Sequence, residues 1–140
     1  MKKYVITLIL FFFFYQCLIC ETYYVSPSGS DDNDGSISSP WLTLSFAVEQ
    51  LQAGDTLFLR EGIYYEGGIT PPNSGNLTDG YILYSSYPGE NAVIDGTDFE
   101  GSSNGLRMFD LSYFKIENIE IRNFMSGNGI WTANSSNFEI

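Results

Sequence analysis

The sequence predicts a right-handed parallel β-helix, a solenoid whose chain returns to the same point of its cross-section on every coil. Three observations point there. Residues 22–64 run in the order strand, Asp/Gly/Ser/Pro loop, amphipathic helix, Gly-Asp turn, strand, which suits a lid followed by first rungs. Beyond them, β-rich segments of at most about eight residues alternate with long turns. The chain also repeats on itself. A shift of 24 lays Gly105-Leu106 on Gly129-Ile130, Ser112 on Ser136, Phe114 on Phe138 and Ile116 on Ile140. Carried backward, the same step takes Leu106 to Ile82 and then to Phe58. Stacked coils give such a constant spacing, because each buries the same position against its neighbours. A compact β-sandwich, the alternative, would show antiparallel hairpins with two-residue Asn-Gly or Asp-Gly turns.

The first element is not part of the fold. Lys2 and Lys3 precede an apolar run from Tyr4 to Tyr15 broken only by Thr7, a secretory leader taken to span residues 1–20. As a membrane span it is marginal, since Tyr4 to Cys20 is at the lower end of what crosses about 30 Å of hydrocarbon. Ile19 is a poor neighbour for lipid attachment at Cys20, and Leu18 is large for ordinary cleavage after Cys20; secretion or cell-surface display is expected, with lipid anchoring at Cys20 the minor route. Both cysteines, Cys17 and Cys20, lie in this segment, so stability must come from packing rather than disulfides.

Residues 21–55 read as the N-terminal strand, loop and capping helix. Tyr23, Tyr24 and Val25 form a short strand. The loop from Ser26 to Gly35 is rich in Pro, Gly and Asx residues. Thr43 is placed as N-cap. Leu44, Ala47, Val48 and Leu51 make one apolar stripe opposite Glu49, Gln50 and Gln52, and Gly54 takes the C-cap position. A helix of about ten residues does not persist alone, so its stripe must close the open end of the core.

Residues 56–140 read as the first coils. Strands are predicted at Thr56 to Leu59, Gly80 to Ser85, Val93-Ile94, Leu106 to Phe109, Lys115 to Arg122 and Gly129 to Thr132, with a last one near Phe138. Within the best rung, Ile116, Ile119 and Ile121 face inward between exposed Glu117, Glu120 and Arg122, and Asn118 marks a bend or start. Asn123, Asn128, Asn134 and Asn137 fall at turns, as left-handed or Asx-turn residues or as amide ladders. Ile140 lies within a strand pattern with no stop signal. The expectation is an N-terminal part of a longer protein, incomplete after about three coils and prone to self-association through its open last coil.

Chemistry is harder to read. With 17 Asp/Glu against 6 Lys/Arg the net charge is −11, and it becomes two units more negative once Lys2 and Lys3 leave with the leader. That argues against nucleic-acid phosphates or anionic lipids as partners. The chain has no histidine, which excludes His triads and His metal sites. No phosphate-binding or dinucleotide fingerprint occurs. Asp31, Asp32, Asn33 and Asp34 tempt as a calcium loop. Aligned on Ser30, Asp32, Asp34 and Gly35, however, the position that needs a bidentate Glu is Trp41, so a solvated turn is the reading.

Asp95 with Asp98 and Glu100 is the candidate acidic cluster, against a plain Asp-Gly turn. Lys115 is the only lysine after the leader and hence the only lysyl base candidate, though strand alternation turns it to solvent. Arg107 and Arg122 read as surface charges. Asn76-Leu77-Thr78 and Asn134-Ser135-Ser136 are glycosylation-type triplets. Tyr64, Tyr65, Tyr84, Tyr87 and Trp131 are candidates for sugar stacking, weighed against stacking in the core. No catalytic or cofactor-binding residue is assigned, and metal ligands stay unknown.

The runs YYVSPSGSDDNDG (23–35), SPWLTLSFAVEQLQAGD (39–55), GIYYE (62–66), YPGENAVIDG (87–96) and YFKIENIEIRN (113–123) together resemble secreted right-handed β-helix proteins. These include the family-9 polysaccharide lyases and the chondroitinase-B-like proteins. Asn118 departs from the small residue usual before the central aliphatic of the later rung. The resemblance speaks for architecture more than chemistry, because lyases, hydrolases, epimerases and adhesin-like proteins share it. It treats the Asp31–Asp34 loop as a connection. It implies a longer parent, acting on extracellular polysaccharide, in which a calcium-binding acidic cluster and a Lys or Arg base drive uronate β-elimination from middle coils. None of those residues maps onto this chain, which is expected to be inactive scaffold. The alternative is a non-catalytic glycan-binding or adhesion module.

Overall fold

A computed structural model describes residues 20–97, 99 and 104–140, so the leader reading lies, apart from Cys20, outside the described residues. Among the described residues ten strands and one helix follow in order: β1 (Thr22–Val25), α1 (Leu44–Gln50), β2 (Thr56–Leu59), β3 (Gly62–Tyr64), β4 (Ile82–Ser86), β5 (Ala92–Asp95), β6 (Leu106–Phe109), β7 (Ser112–Glu117), β8 (Ile119–Arg122), β9 (Ile130–Ala133) and β10 (Ser136–Glu139). Every pairing between named strands is parallel. The strands form three ribbons, β1-β2-β4-β7-β10, β3-β5-β8 and β6-β9, which are the walls of a parallel β-helix.

Register lines up the inward side chains in rows along the solenoid axis. One row runs Tyr23, Leu57, Tyr84, Ile116. Another runs Tyr64, Ile94, Ile121, and a third Ile82, Phe114, Phe138. Phe114 and Phe138 stack with centroids 5.0 Å apart and planes 2° apart. Buried polar groups are served locally. The Tyr64 hydroxyl shares its proton between the carbonyls of Arg60 (2.8 Å) and Val25 (2.9 Å), and burial pushes its pKa up. Ser86 Oγ donates to the Asn118 carbonyl (2.6 Å) and accepts from Ala92 N (3.2 Å), closing a corner.

The lid forms as its sequence directs, with one shift. Thr43 caps α1 by accepting from Phe46 N at 3.2 Å, and Leu44, Ala47 and Val48 are buried. The helix ends at Gln50, not beside Gly54, and Leu51 is already extended. Asp55 explains this: its carboxylate accepts from Gln52 N (2.7 Å) and Glu21 N (2.8 Å). The Leu51 carbonyl accepts from Asn73 Nδ2 (2.8 Å), so it is taken out of the helical ladder. Gly54 instead supplies a left-handed turn, φ 90°.

Two further expectations are corrected. The segment 115–122, predicted as one strand, is two, broken at the bend expected at Asn118, whose φ of 56° turns the chain between ribbons. The period of 24 holds only for the last two coils, where Leu106 pairs Ile130, Ser112 pairs Ser136 and Phe114 pairs Phe138. Ile82 pairs Phe114, and Leu106 bridges Ile69. Phe58 pairs Ser85 on the outer face. More residues separate β3 from β4 and β5 from β6 than separate β8 from β9, which lengthens the earlier coils, so equal sequence steps no longer reach equal positions. Where the period does hold, the corners repeat too: Asp110 and Asn134 are both left-handed (φ 56° and 53°), as are Tyr113 and Asn137 (φ 55° and 52°).

Candidate functional site

The charged candidates lie on outward faces and corners, and most are already engaged. Asp95 ends β5 and pairs in register with Arg122 of β8. Only 3% of the residue is exposed. One carboxylate oxygen accepts from the Thr97 hydroxyl (2.5 Å) and Thr97 N (2.9 Å), the other from Arg122 Nε (2.7 Å), and Asn123 Nδ2 lies 3.0 Å from both. The Thr97 hydroxyl first, then the Arg122 guanidinium, then the Asn123 amide hold this carboxyl well below the usual range. Arg122 also bonds Glu120 at 2.9 Å. Asp98 and Glu100, the proposed partners of Asp95, lie outside the described residues.

A carboxylate so saturated with donors has no lone pair left for a metal or a proton in flight. It is instead a clamp for the β5–β8 corner. The folded pKa is depressed, so this stabilisation is present above the unfolded pKa of about 3.9 and disappears as pH falls through the folded value. Asp95→Asn should therefore lower the unfolding temperature near pH 7, and the gap from wild type should close as pH drops below about 4. A gap that is constant across this range in thermal scans would refute the clamp.

Lys115, on the outer face of β7, pairs Glu139 at 2.7 Å and lies over the Tyr81 ring at 5.1 Å. Glu139 raises its pKa, the wrong direction for a general base, which must lose its proton near neutrality. Arg107 sits over Trp131 at 5.8 Å, and Trp131 stacks parallel to Phe109 at 6.0 Å. Two of the three loop carboxylates are committed as well, while Asp32 is exposed. Asp31 accepts from Leu42 N (2.9 Å), Thr43 N (2.9 Å) and Thr43 Oγ1 (2.8 Å), and Asp34 accepts from Ser36 N (3.0 Å). Asp31 ties the loop to the start of α1, and Asp34 closes a turn within the loop.

Among the described residues no three His, Cys, Asp or Glu side chains converge on a point that would hold a metal. The described residues therefore do not fit the calcium cluster that the resemblance implies for a parent. No helix among the described residues is long and apolar enough to cross a membrane.

The sugar-stacking candidates divide. Tyr64 and Tyr84 are core residues. Tyr65, 59% exposed, stands on a shallow cleft with Ile63, Leu42 and Pro27. Tyr87 belongs to an outward cluster with Tyr24 and Phe58, centroids 5.6–5.9 Å apart. Asn76 folds its side chain into its own turn, accepting from Thr78 N and Asp79 N at 2.8 Å. Sequence reasoning missed the Arg60–Glu90 pair. Its signal was slight: a charged residue closes each of two consecutive coil corners, 30 residues apart.

Comparison with known proteins places these features. Pectate lyase PEL9 of Emericella nidulans is 30% identical over 136 residues, 88% of this chain but 32% of that enzyme. The chain thus spans about a third of the relative's length. Among solved structures, a rhamnogalacturonan lyase superposes with a TM-score of 0.67 at 18% identity, covering 84% of this chain and 34% of that one. Pectate lyase Pel9A superposes with a TM-score of 0.56 at 24% identity, covering 71% of this chain and 27% of that one. These two likenesses concern the fold. The family model described as Pel9A-like, right-handed β-helix region matches residues 23–140. On that match, the rows of stacked residues and the three parallel ribbons, the chain belongs to the Pel9A-like right-handed β-helix family.

Proposed function

We propose that the chain is the N-terminal scaffold portion of an exported, polysaccharide-active β-helix protein whose full-length activity is uronate β-elimination assisted by calcium. Its role is to cap the solenoid and template the coils that follow. The carrying observation is the 30% identity to a pectate lyase over almost the whole chain, set beside a described surface on which Lys115, Arg122 and Asp95 are committed to neighbouring groups. β-Elimination needs a base within hydrogen-bond reach of the proton α to the uronate carboxyl, poised to be neutral near working pH. Lys115 is held charged by Glu139, and Arg122 is tied by Asp95 and Glu120.

The 140 residues alone are therefore expected to show no turnover. Incubation with polygalacturonate or chondroitin sulfate plus calcium should give no rise in the ultraviolet absorbance of unsaturated product. Product above a protein-free control would overturn the scaffold reading. Saccharide binding without turnover would favour the second reading, a non-catalytic glycan-binding or adhesion module, which the outward Tyr24, Phe58 and Tyr87 cluster supports.

The same reading includes self-association. Phe138 and Ile140 are 38% and 64% exposed on the last coil, and β10 has one pairing partner among the described residues. An open parallel edge invites another chain. Sedimentation should show mass rising with concentration, and a monodisperse monomer would contradict it.

A further inference from the structure

On the outer face of the five-stranded ribbon, the chain makes the same corner three times. Arg60 N donates to the Val25 carbonyl (2.9 Å) and Tyr87 N to the Leu59 carbonyl (2.8 Å), so Ser26, Arg60 and Tyr87 follow one another along the axis. Two residues back, on the same outward face, Tyr24 and Phe58 stand in register. The Arg60 guanidinium lies over the Tyr87 ring at 5.0 Å. Its Nε and Nη2 grip Glu90 through three contacts of 2.7–3.0 Å. Glu90 also accepts from Glu61 N at 2.7 Å. Among the described residues nothing accepts from Arg60 Nη1, and the Glu61 carboxylate is likewise uncommitted. Opposite, the lid loop supplies Ser28 and Ser38 above a wall of Ile37 and Pro40.

Between these walls lies a cleft of about 410 Å³ lined by Ser26, Ser28, Ser38, Arg60, Glu61 and Glu90. Its size falls within the ~300–1,000 Å³ of small-molecule clefts, although its lining is far more polar than most. Hydroxyls, two carboxylates and a guanidinium suit a ligand with many hydroxyl groups, since each sugar hydroxyl both donates and accepts. Beside the cleft, Tyr24, Phe58 and Tyr87 form a half-buried aromatic cluster, a residue type that stacks on the apolar C–H face of a sugar. Charge then selects among saccharides. Arg60 is neutralised by Glu90, and Glu61 adds a second negative charge, so a uronate carboxylate entering the cleft meets net repulsion.

From this arrangement we infer that the Arg60–Glu90 corner is a binding subsite for a neutral oligosaccharide, separate from uronate chemistry and independent of metal. It does not rest on the lyase reading. The site is rigid where it matters: Arg60 is fixed by a forked carboxylate and a ring, so little rotamer entropy is lost on binding.

The test uses the full chain in buffer with EDTA, titrated by calorimetry with xylotetraose, galactotetraose and tetragalacturonate. At least one neutral tetrasaccharide should bind in the millimolar range, more tightly than tetragalacturonate. Arg60→Gln should weaken it about tenfold or more, by loss of charge-assisted hydrogen bonds. That variant also loosens a corner, so Ser38→Trp, an exposed substitution that fills the cleft, is the cleaner probe and should abolish binding while leaving the unfolding temperature unchanged. Trp131→Ala, on another ribbon, should bind as wild type. No binding of either neutral sugar, preference for tetragalacturonate, or binding indifferent to Ser38→Trp would each overturn the inference. None of these results bears on whether unsaturated product forms.

Discussion

Phe114→Ala should destabilise the chain by about 3–5 kcal/mol, the cost of removing a fully buried aromatic and leaving a hole that its surroundings cannot fill. Phe114 is 1% exposed in β7 and lies between Ile82 of β4 and Phe138 of β10. Its neighbours are pinned by parallel ladders on either side, so the backbone has little room to collapse inward. Against a typical total of about 5–15 kcal/mol, such a loss is a large share of the fold's stability. The damage should also be directional. Coils in a solenoid hold mainly to their nearest neighbours, so amide exchange should accelerate first in β10 and β9, while β1 and β2 under the lid keep their protection. Phe114→Leu should lose markedly less. A loss below about 1 kcal/mol on denaturant titration, or uniform exchange along the chain, would show that the coil stack is not held through this row.

The same row shows why part of the fold was legible in the sequence. Phe114 and Phe138, like Leu106 and Ile130, stand one coil apart, and the two coils that contain them share a length of 24 residues, so periodicity exposes them directly. The partner of Phe114 on its other side, Ile82, is 32 residues away. Loop insertions break the spacing there without disturbing the stack, and a fixed shift cannot follow them. The cap helix was legible for a different reason. Thr43 and the Leu44, Ala47, Val48 stripe are local signals, whereas its C-terminal end was set by Asp55, whose turn holds Gln52 N, and by Asn73, which arrives from a later loop.

The candidate sites divide along the same line. Solvent exposure of Lys115 follows from strand alternation, but its raised pKa depends on Glu139 in the next coil. Asp95 looked like a turn residue or a ligand. Its saturation by Thr97, Arg122 and Asn123 needed both the local turn and the corner of the following coil. The Arg60–Glu90 cleft was hidden altogether, because it is assembled from three successive corners and a lid loop that no short window contains.

Gly29→Ala carries this last point to its largest consequence. In sequence Gly29 is one small residue in a turn-rich loop; in the structure the lid loop crosses Trp41 so closely that a Cβ there would overlap the Trp41 carbonyl oxygen and stand 2.6 Å from that of Pro40. Its backbone is not left-handed, so the requirement is for space rather than for torsion. Both obstacles are main-chain atoms already engaged: the Trp41 carbonyl accepts from Ser26 N at 2.9 Å and the Pro40 carbonyl from Ser30 N at 3.1 Å. A flexible side chain could swing aside, but here a hydrogen-bonded segment must move. The expected cost is about 3 kcal/mol, at the upper end for overpacking. The loop should lift away from Trp41, whose indole is stacked on Tyr23 at 4.8 Å and edge-on to Phe46 at 5.7 Å. Tryptophan fluorescence should therefore shift to longer wavelength before global unfolding. Because Ser28 and Ser38 form the lid side of the polar cleft, neutral-saccharide binding should fall even where the coils remain folded. Gly29→Ser should behave like Gly29→Ala, since the offending atom is the Cβ itself. If Gly29→Ala keeps the wild-type fluorescence and unfolding temperature, the loop is not seated on Trp41 as described, and the cleft loses the wall that defines it.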